Sequence, residues 1–167
     1  MKKVIIVLLA LIMLFSLAAC GKEETSDKKT PITMSSFEAI LKNKGFEVKE
    51  LQIVPHNDLI TKAKGISDKD KNLKLTIYVC SVETEAEKQY TNVYQNAKLM
   101  PSSALVMKTA KGENWSFFES TDKGTFKTAM RIDNILVFSS CDEKYKDELI
   151  ELVKELEYWE DVKDEKK

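Results

Sequence analysis

The stretch NWSFFESTDKGTFKTAMRIDNILVFSSCDE, residues 114–143, decides the fold. Asn114 to Ser120, Thr125 to Ile132 and Ile135 to Ser140 read as three strands in succession, rich in aromatic and branched side chains. Their connections are short and polar: Asp122-Lys123-Gly124, then Asp133-Asn134. Asp and Asn both tolerate positive φ, so the second connection is a candidate tight hairpin turn. Asp142 then caps a helix with Tyr145, Leu149, Leu152 and Leu156 on its buried face.

Upstream, residues 101–112 read as a loop, within which Ala104 to Met107 is a candidate short strand. Before Pro101 lies the strongest helix signal. Thr84-Glu85-Ala86-Glu87 has the form of a capping box. Ala86, Tyr90, Val93, Ala97 and Met100 follow at spacings that keep them on one stripe. Leu73, Leu75, Ile77 and Val79 alternate with Lys74, Thr76 and Tyr78, the pattern of a half-buried strand. Asp58 to Ile66 is a weaker strand, followed by a polar turn from Ser67 to Asn72. Phe46 to Val54 is a further strand, interrupted by Pro55. Ser35-Ser36-Phe37-Glu38 is a second capping-box pattern. It opens a helix with Phe37, Ile40 and Leu41 on one face and Gly45 at its end.

After the first helix the order is β-β-β-α, then β-β-β-α again. TIYVCSVETEAEK aligns loosely with LVFSSCDEKYKDE, which suggests duplicated units; antiparallel α+β domains also repeat such units without shared origin. The fold class expected is α+β: an antiparallel sheet with helices packed on one face.

The N-terminus differs in kind. Met1-Lys2-Lys3 precedes sixteen residues without a charge, Val4 to Ala19. A spanning helix needs about 20 apolar residues, so a cleaved signal is the better reading. The run ends Leu17-Ala18-Ala19-Cys20. This segment resembles the lipobox of bacterial lipoproteins, and all four positions match. The resemblance implies a diacylglyceryl thioether on Cys20 and cleavage before it. Two acyl chains would make membrane residence effectively permanent. The expected boundaries are a signal peptide over 1–19, a lipidated cysteine and flexible tether over 20–33, one domain over 34–160 and a charged tail over 161–167. Gly21 to Thr30 has no apolar residue with which to order itself, and Pro31 closes it.

Removing residues 1–19 takes Lys2 and Lys3 from the 26 basic residues, leaving 24 against 27 acidic and a net charge near −3. That balance argues against a nucleic-acid partner. Arg131 is the only arginine. The abundance of Lys, Asn and Ile, whose codons are AT-rich, fits a low-GC Gram-positive source. The domain, about 130 residues, is large enough to bury a core without staples and too small for a two-lobed solute receptor.

The residues that carry chemistry are few. Cys80 and Cys141 remain after Cys20, each at the end of a strand running into a helix. An even pair in an exported domain favours a structural disulfide; two buried thiols or a redox pair are the alternatives, and there is no C-x-x-C spacing to support the last. His56 is the sole histidine and reads as a solvated loop residue. Asp68, Asp70 and Asn72 match the start of a calcium loop. The match fails at Leu73, where glycine is needed, and at Val79, where a bidentate glutamate is needed. The acidic runs at Asp142-Glu143 and Glu155 to Glu160 read as solvated helix faces. Trp115, Phe117, Tyr158 and Trp159 read as core before ligand surface. No cofactor, metal site or catalytic constellation is expected.

LTIYVCSVETEAEKQY and MRIDNILVFSSCDEKYKDEL resemble segments of a loose group of small Gram-positive lipoproteins without an assigned function. Those motifs describe a fold and not a site, so no functional residue carries over. The functional expectation is a non-enzymatic binding or accessory domain on the outer face of the cell membrane. Membrane lipid through Cys20 is one partner, and an envelope protein or peptide the other. A self-protection lipoprotein and an envelope enzyme using clustered carboxylates are the alternatives.

Overall fold

A computed structural model describes residues 27–53, 59–99 and 105–162. The expected signal peptide over 1–19, Cys20, His56, Met100 and the last five residues lie outside them. Among the described residues the order is α1 (Met34–Asn43), β1 (Lys49–Glu50), β2 (Ile60–Asp68), β3 (Leu73–Cys80), α2 (Glu83–Lys98), β4 (Val106–Lys111), β5 (Trp115–Asp122), β6 (Thr125–Ile132), β7 (Ile135–Asp142), a 3-10 turn (Glu143–Tyr145) and α3 (Lys146–Glu155). The strands form one sheet in the order β1-β2-β3-β7-β6-β5-β4, with every pairing antiparallel. The α+β class holds.

Successive side chains of a strand point to opposite faces. On one face, Leu73, Leu75 and Ile77 of β3 join Val137 and Cys141 of β7, Phe126, Met130 and Ile132 of β6, and Trp115 and Phe117 of β5. Phe37 and Leu41 of α1 and Leu149, Leu152 and Val153 of α3 close over them. On the other face Phe118, Ala129 and Leu136 meet Tyr90, Val93, Tyr94 and Ala97 of α2. The expectation of helices on one face is therefore corrected: they cover both. The unbroken burial of Ala129 to Ile132 and of Ile135 to Val137 is the reason, because strands apolar on both sides need cover on both.

The duplicated β-β-β-α plan is corrected as well. The second half has an additional strand, β4, where the sequence showed at most Ala104 to Met107. Antiparallel β3 and β7 meet at the centre, with Lys74 opposite Ser140 and Val79 opposite Ile135. A twofold axis relating them would stand perpendicular to the sheet and keep both following helices on one face. They lie on opposite faces.

Local signals were partly misplaced. The α1 N-cap is Thr33, whose hydroxyl accepts from the Ser36 amide at 3.1 Å, and not Ser35. Glu38 instead pairs with Lys42 and Lys64, each at 2.6 Å. At the other end Gly45 (φ 84°) donates to Lys42 O and Phe46 to Leu41 O, a Schellman closure. The α2 N-cap is Val82, with no side-chain cap, so the Thr84 box does not form. The two-residue turn with both φ positive is Lys123-Gly124 (47° and 75°); at the next hairpin only Asp133 is positive, at 48°. The first strand shrinks to Lys49–Glu50.

The tether boundary moves most. Residues 27–33 lie against the domain. The Asp27 carbonyl accepts from Trp115 Nε1 at 2.8 Å. Lys29 N–H donates to Asn114 Oδ1 at 2.9 Å, and Asn114 Nδ2 returns a bond to Lys29 O at 2.8 Å. The Lys29 ammonium sits 5.0 Å from the centre of the Trp115 ring. Ile32 N–H donates to the buried Tyr158 hydroxyl at 3.3 Å. Backbone and polar bonds dock residues 27–30, whose lack of apolar side chains misled, and Ile32 packs against the core.

Candidate functional site

Helix α2 packs on β3, β7, β6 and β5 and makes little or no contact with β2. On that face β2 presents Ala63 and Gly65, the partners of Tyr78 and Thr76. Small side chains beside an uncovered edge leave a trough. The result is a cavity of about 420 Å3. Ala63, Tyr78, Leu136 and Phe138 form its floor, Gln89 and Val93 of α2 one wall, and Leu51, Gln52, Ile53 and Ile60 the other. Its size falls in the range of small-molecule sites. Gly65 is needed beside it: a Cβ there would stand 2.9 Å from Leu75 O and 3.3 Å from Leu51 Cδ1.

The electrostatics of this cavity are quiet. Among the described residues no charged side chain lines it. Burial raises the Tyr78 phenol, against a hydrogen bond to Thr76. Gln89 Nε2 donates to the buried Glu85 at 2.7 Å, which orients the amide at the wall. Nearby, Arg131 is buried and donates to Glu83 at 2.7 Å and to Asp133 O at 3.2 Å, while its Nε has no partner. A second, shallower cleft of about 370 Å3 runs between Tyr90 and Tyr94 of α2 and Thr109 to Lys111 of β4. Both tyrosines meet Phe118 edge-on, at 5.8 and 5.7 Å, so they are committed to packing.

The disulfide expectation is corrected. Cys80 and Cys141 are both free and buried. Cys80 lies at the β6–β7 turn, its amide bonded to Asn134 O, whereas Cys141 pairs with Phe126 at the far end of β7. In the antiparallel β3–β7 pair they are about seven residues apart along the strands, roughly 23 Å, and they face opposite sides of the sheet. A bridge needs Cα atoms within about 7 Å. Burial pushes the Cys141 thiol up to about 11 and also raises Cys80, which Glu85 raises further. Intact mass with and without reductant is expected to be identical, with two thiols alkylated only after unfolding.

The other sequence candidates disperse. Asp68 Oδ1 caps the Asp70 amide at 3.0 Å and Asn72 takes φ 48°, so these residues form the β2–β3 turn. Trp115, Phe117 and Tyr158 are core. Trp159 is half-buried, edge-on to Phe117 at 5.2 Å. The carboxyls whose pKa moves, Glu38 (to about 2) and Asp161, move down through hydrogen-bonded partners, Lys42 and Lys64 for one and Trp159 for the other. Neither lines the cavity. No cavity residue was singled out in the sequence; the available signal was the non-core parity of β3 and β7, where Tyr78 and Phe138 stand among polar neighbours.

No known protein family matches the chain, and no curated protein does. Among solved structures it is similar to a GTP binding regulator from Thermotoga maritima. The identity is 15% and the TM-score 0.45, over 75% of this chain and 87% of that one. A likeness that distant carries no functional argument.

Proposed function

We propose that this is an extracytoplasmic lipoprotein, cut before Cys20 and held on the outer face of the cell membrane by lipid on that cysteine. Its domain is a non-enzymatic binding module, and its ligand enters the cavity between α2 and β2. The observation that carries this reading is a single apolar one: a cavity of about 420 Å3 whose lining is uncharged among the described residues, in a domain whose opposite face is closely filled. The Leu17-Ala18-Ala19-Cys20 box supports the anchor. Such a cavity suits a small apolar ligand better than a protein surface, which places the envelope-protein partner second.

One measurement tests both parts. Mature protein is ejected from nanodiscs into a native mass spectrometer. The expected spectrum shows thioether lipid on Cys20 and a one-to-one adduct, with the adduct lost in Val93→Trp. No adduct in either protein sinks the binding reading; an unmodified Cys20 sinks the anchor.

A further inference from the structure

A row of hydrogen bonds relates the cavity to the N-terminal segment. Ile60 at the cavity wall pairs with Cys80. The Cys80 amide donates to Asn134 O at 2.9 Å, and Asn134 Nδ2 donates to Cys80 O at 2.7 Å. Asp133 N–H donates to Asn114 O at 2.9 Å, and Asn114 holds Lys29. The Ile60 end of the cavity and the docked Asp27 therefore share one end of the sheet. Four strand spacings separate them, about 20 Å. Cys20 lies seven residues before Asp27, a reach of at most about 25 Å. A lipid on Cys20 would thus hold the docked Asp27, at this end of the sheet, within about 25 Å of the bilayer surface.

The same end exposes aliphatic side chains. Leu59 and Val82 are 44% and 50% exposed. They are neighbours because the Ser81 amide donates to Leu59 O at 2.7 Å. Leu51, also exposed, continues the apolar surface into the cavity. Among the described residues Gln52 and Gln89 supply polar groups but no charge. A lining of this kind disfavours an ionic group, whose burial without a partner is costly. It favours hydrocarbon over water by about 0.8 kcal/mol per methylene. Against the bilayer interior that exchange is near neutral, so occupancy depends on the high local concentration that the short tether imposes.

We infer that the cavity takes one hydrocarbon chain of a membrane phospholipid, with the headgroup left outside at the Leu59–Val82 end. This rests on the lipoprotein reading above. The test uses cells that produce the full chain and incorporate a fatty acid bearing a diazirine and an alkyne into their phospholipids. After illumination the protein is purified and digested. Peptides spanning residues 51–53 or 136–138 are expected to gain the mass of a whole phospholipid. Val93→Trp, which fills the cavity, is expected to lower that yield about tenfold, the effect of roughly 1.4 kcal/mol of lost binding. Leu51→Lys, at a rim position that is 39% exposed, is expected to lower it severalfold.

Cavity peptides free of label, in protein whose Cys20 carries its lipid, overturn the inference and leave the anchor standing. Labelling undiminished in both variants overturns it as surface contact. A crosslink between a cavity peptide and the acyl chain of Cys20 itself overturns it in favour of an internal occupant. A Cys20 peptide without lipid overturns the lipoprotein reading and this inference together, and the missing thioether mass distinguishes that failure from the others.

Discussion

The two faces of this sheet are filled to different degrees. Under α1 and α3, Phe37, Phe117, Phe126 and Tyr158 are completely buried among aliphatic side chains. Under α2, Thr76, Tyr78 and Phe138 are only half-buried, and a cavity remains at the β2 side. Strand β3 carries the contrast within one sequence, since Leu73, Leu75 and Ile77 serve the dense face while Thr76 and Tyr78 serve the open one. A sheet covered on both sides needs only one face to be closely packed for stability. The other is free to keep an opening.

The largest expected effect breaks or upholds this contrast directly. Phe117→Ala is expected to cost about 3–5 kcal/mol, the range for a buried aromatic. Phe138→Ala, which only enlarges an existing cavity, is expected to cost less than half of that. Denaturant unfolding of both variants measures the difference, and equal losses would erase it.

Next in size is the docked N-terminal segment, which belongs to the dense side. A Cβ on Gly112 would stand 2.1 Å from Trp115 Nε1 and 2.4 Å from Asp27 Oδ2. Gly112→Ala is therefore expected to cost about 1–3 kcal/mol, as overpacking does, and to free the segment. Faster tryptic cleavage after Lys28 and Lys29 would report the release, and unchanged cleavage would show that the segment is not held there.

The smallest effect concerns Glu38, which ties α1 to β2 through Lys64 on the dense face. Its carboxyl is held down to about 2, first by hydrogen bonds from Lys42 and Lys64. A depressed carboxylate stabilises the fold above its unfolded value, about 4.3, and loses that contribution as pH falls through about 2. Between those limits the wild-type melting temperature is expected to fall more steeply than that of Glu38→Gln. Parallel curves would mean the ion pairs are too exposed to matter.

Much of the scaffold was legible. Strand β3 and the hairpins of β5 to β7 follow from alternation and turn residues. The stripes of α2 and α3 follow from helical spacing: Tyr90, Val93 and Ala97 meet one core cluster, and Leu149, Leu152 and Leu156 the other. Caps were less legible, because Thr33, Ser35 and Ser36 offer three hydroxyls within four residues and only geometry selects among them. The edge strands were less legible: β1 is only the Lys49–Glu50 part of the strand expected over Phe46 to Val54, and β4 runs on from the Ala104 to Met107 candidate to Lys111, because edge strands need no strong apolar pattern. The cavity escaped because it is an absence of side chains, made by Ala63 and Gly65 against a helix that ends its coverage at β3.

The sequence by itself determined the periodicities: which residues alternate, which form stripes, where the chain turns, and the cysteine box at its start. Those depend on neighbours a few positions apart. Only the tertiary structure decided that α2 and α3 take opposite faces. The same assembly kept Cys80 and Cys141 apart and docked residues 27–33 beside Trp115. These outcomes depend on register and on the order in which strands assemble, β3 beside β7 above all, and no local pattern encodes a partner some sixty residues away.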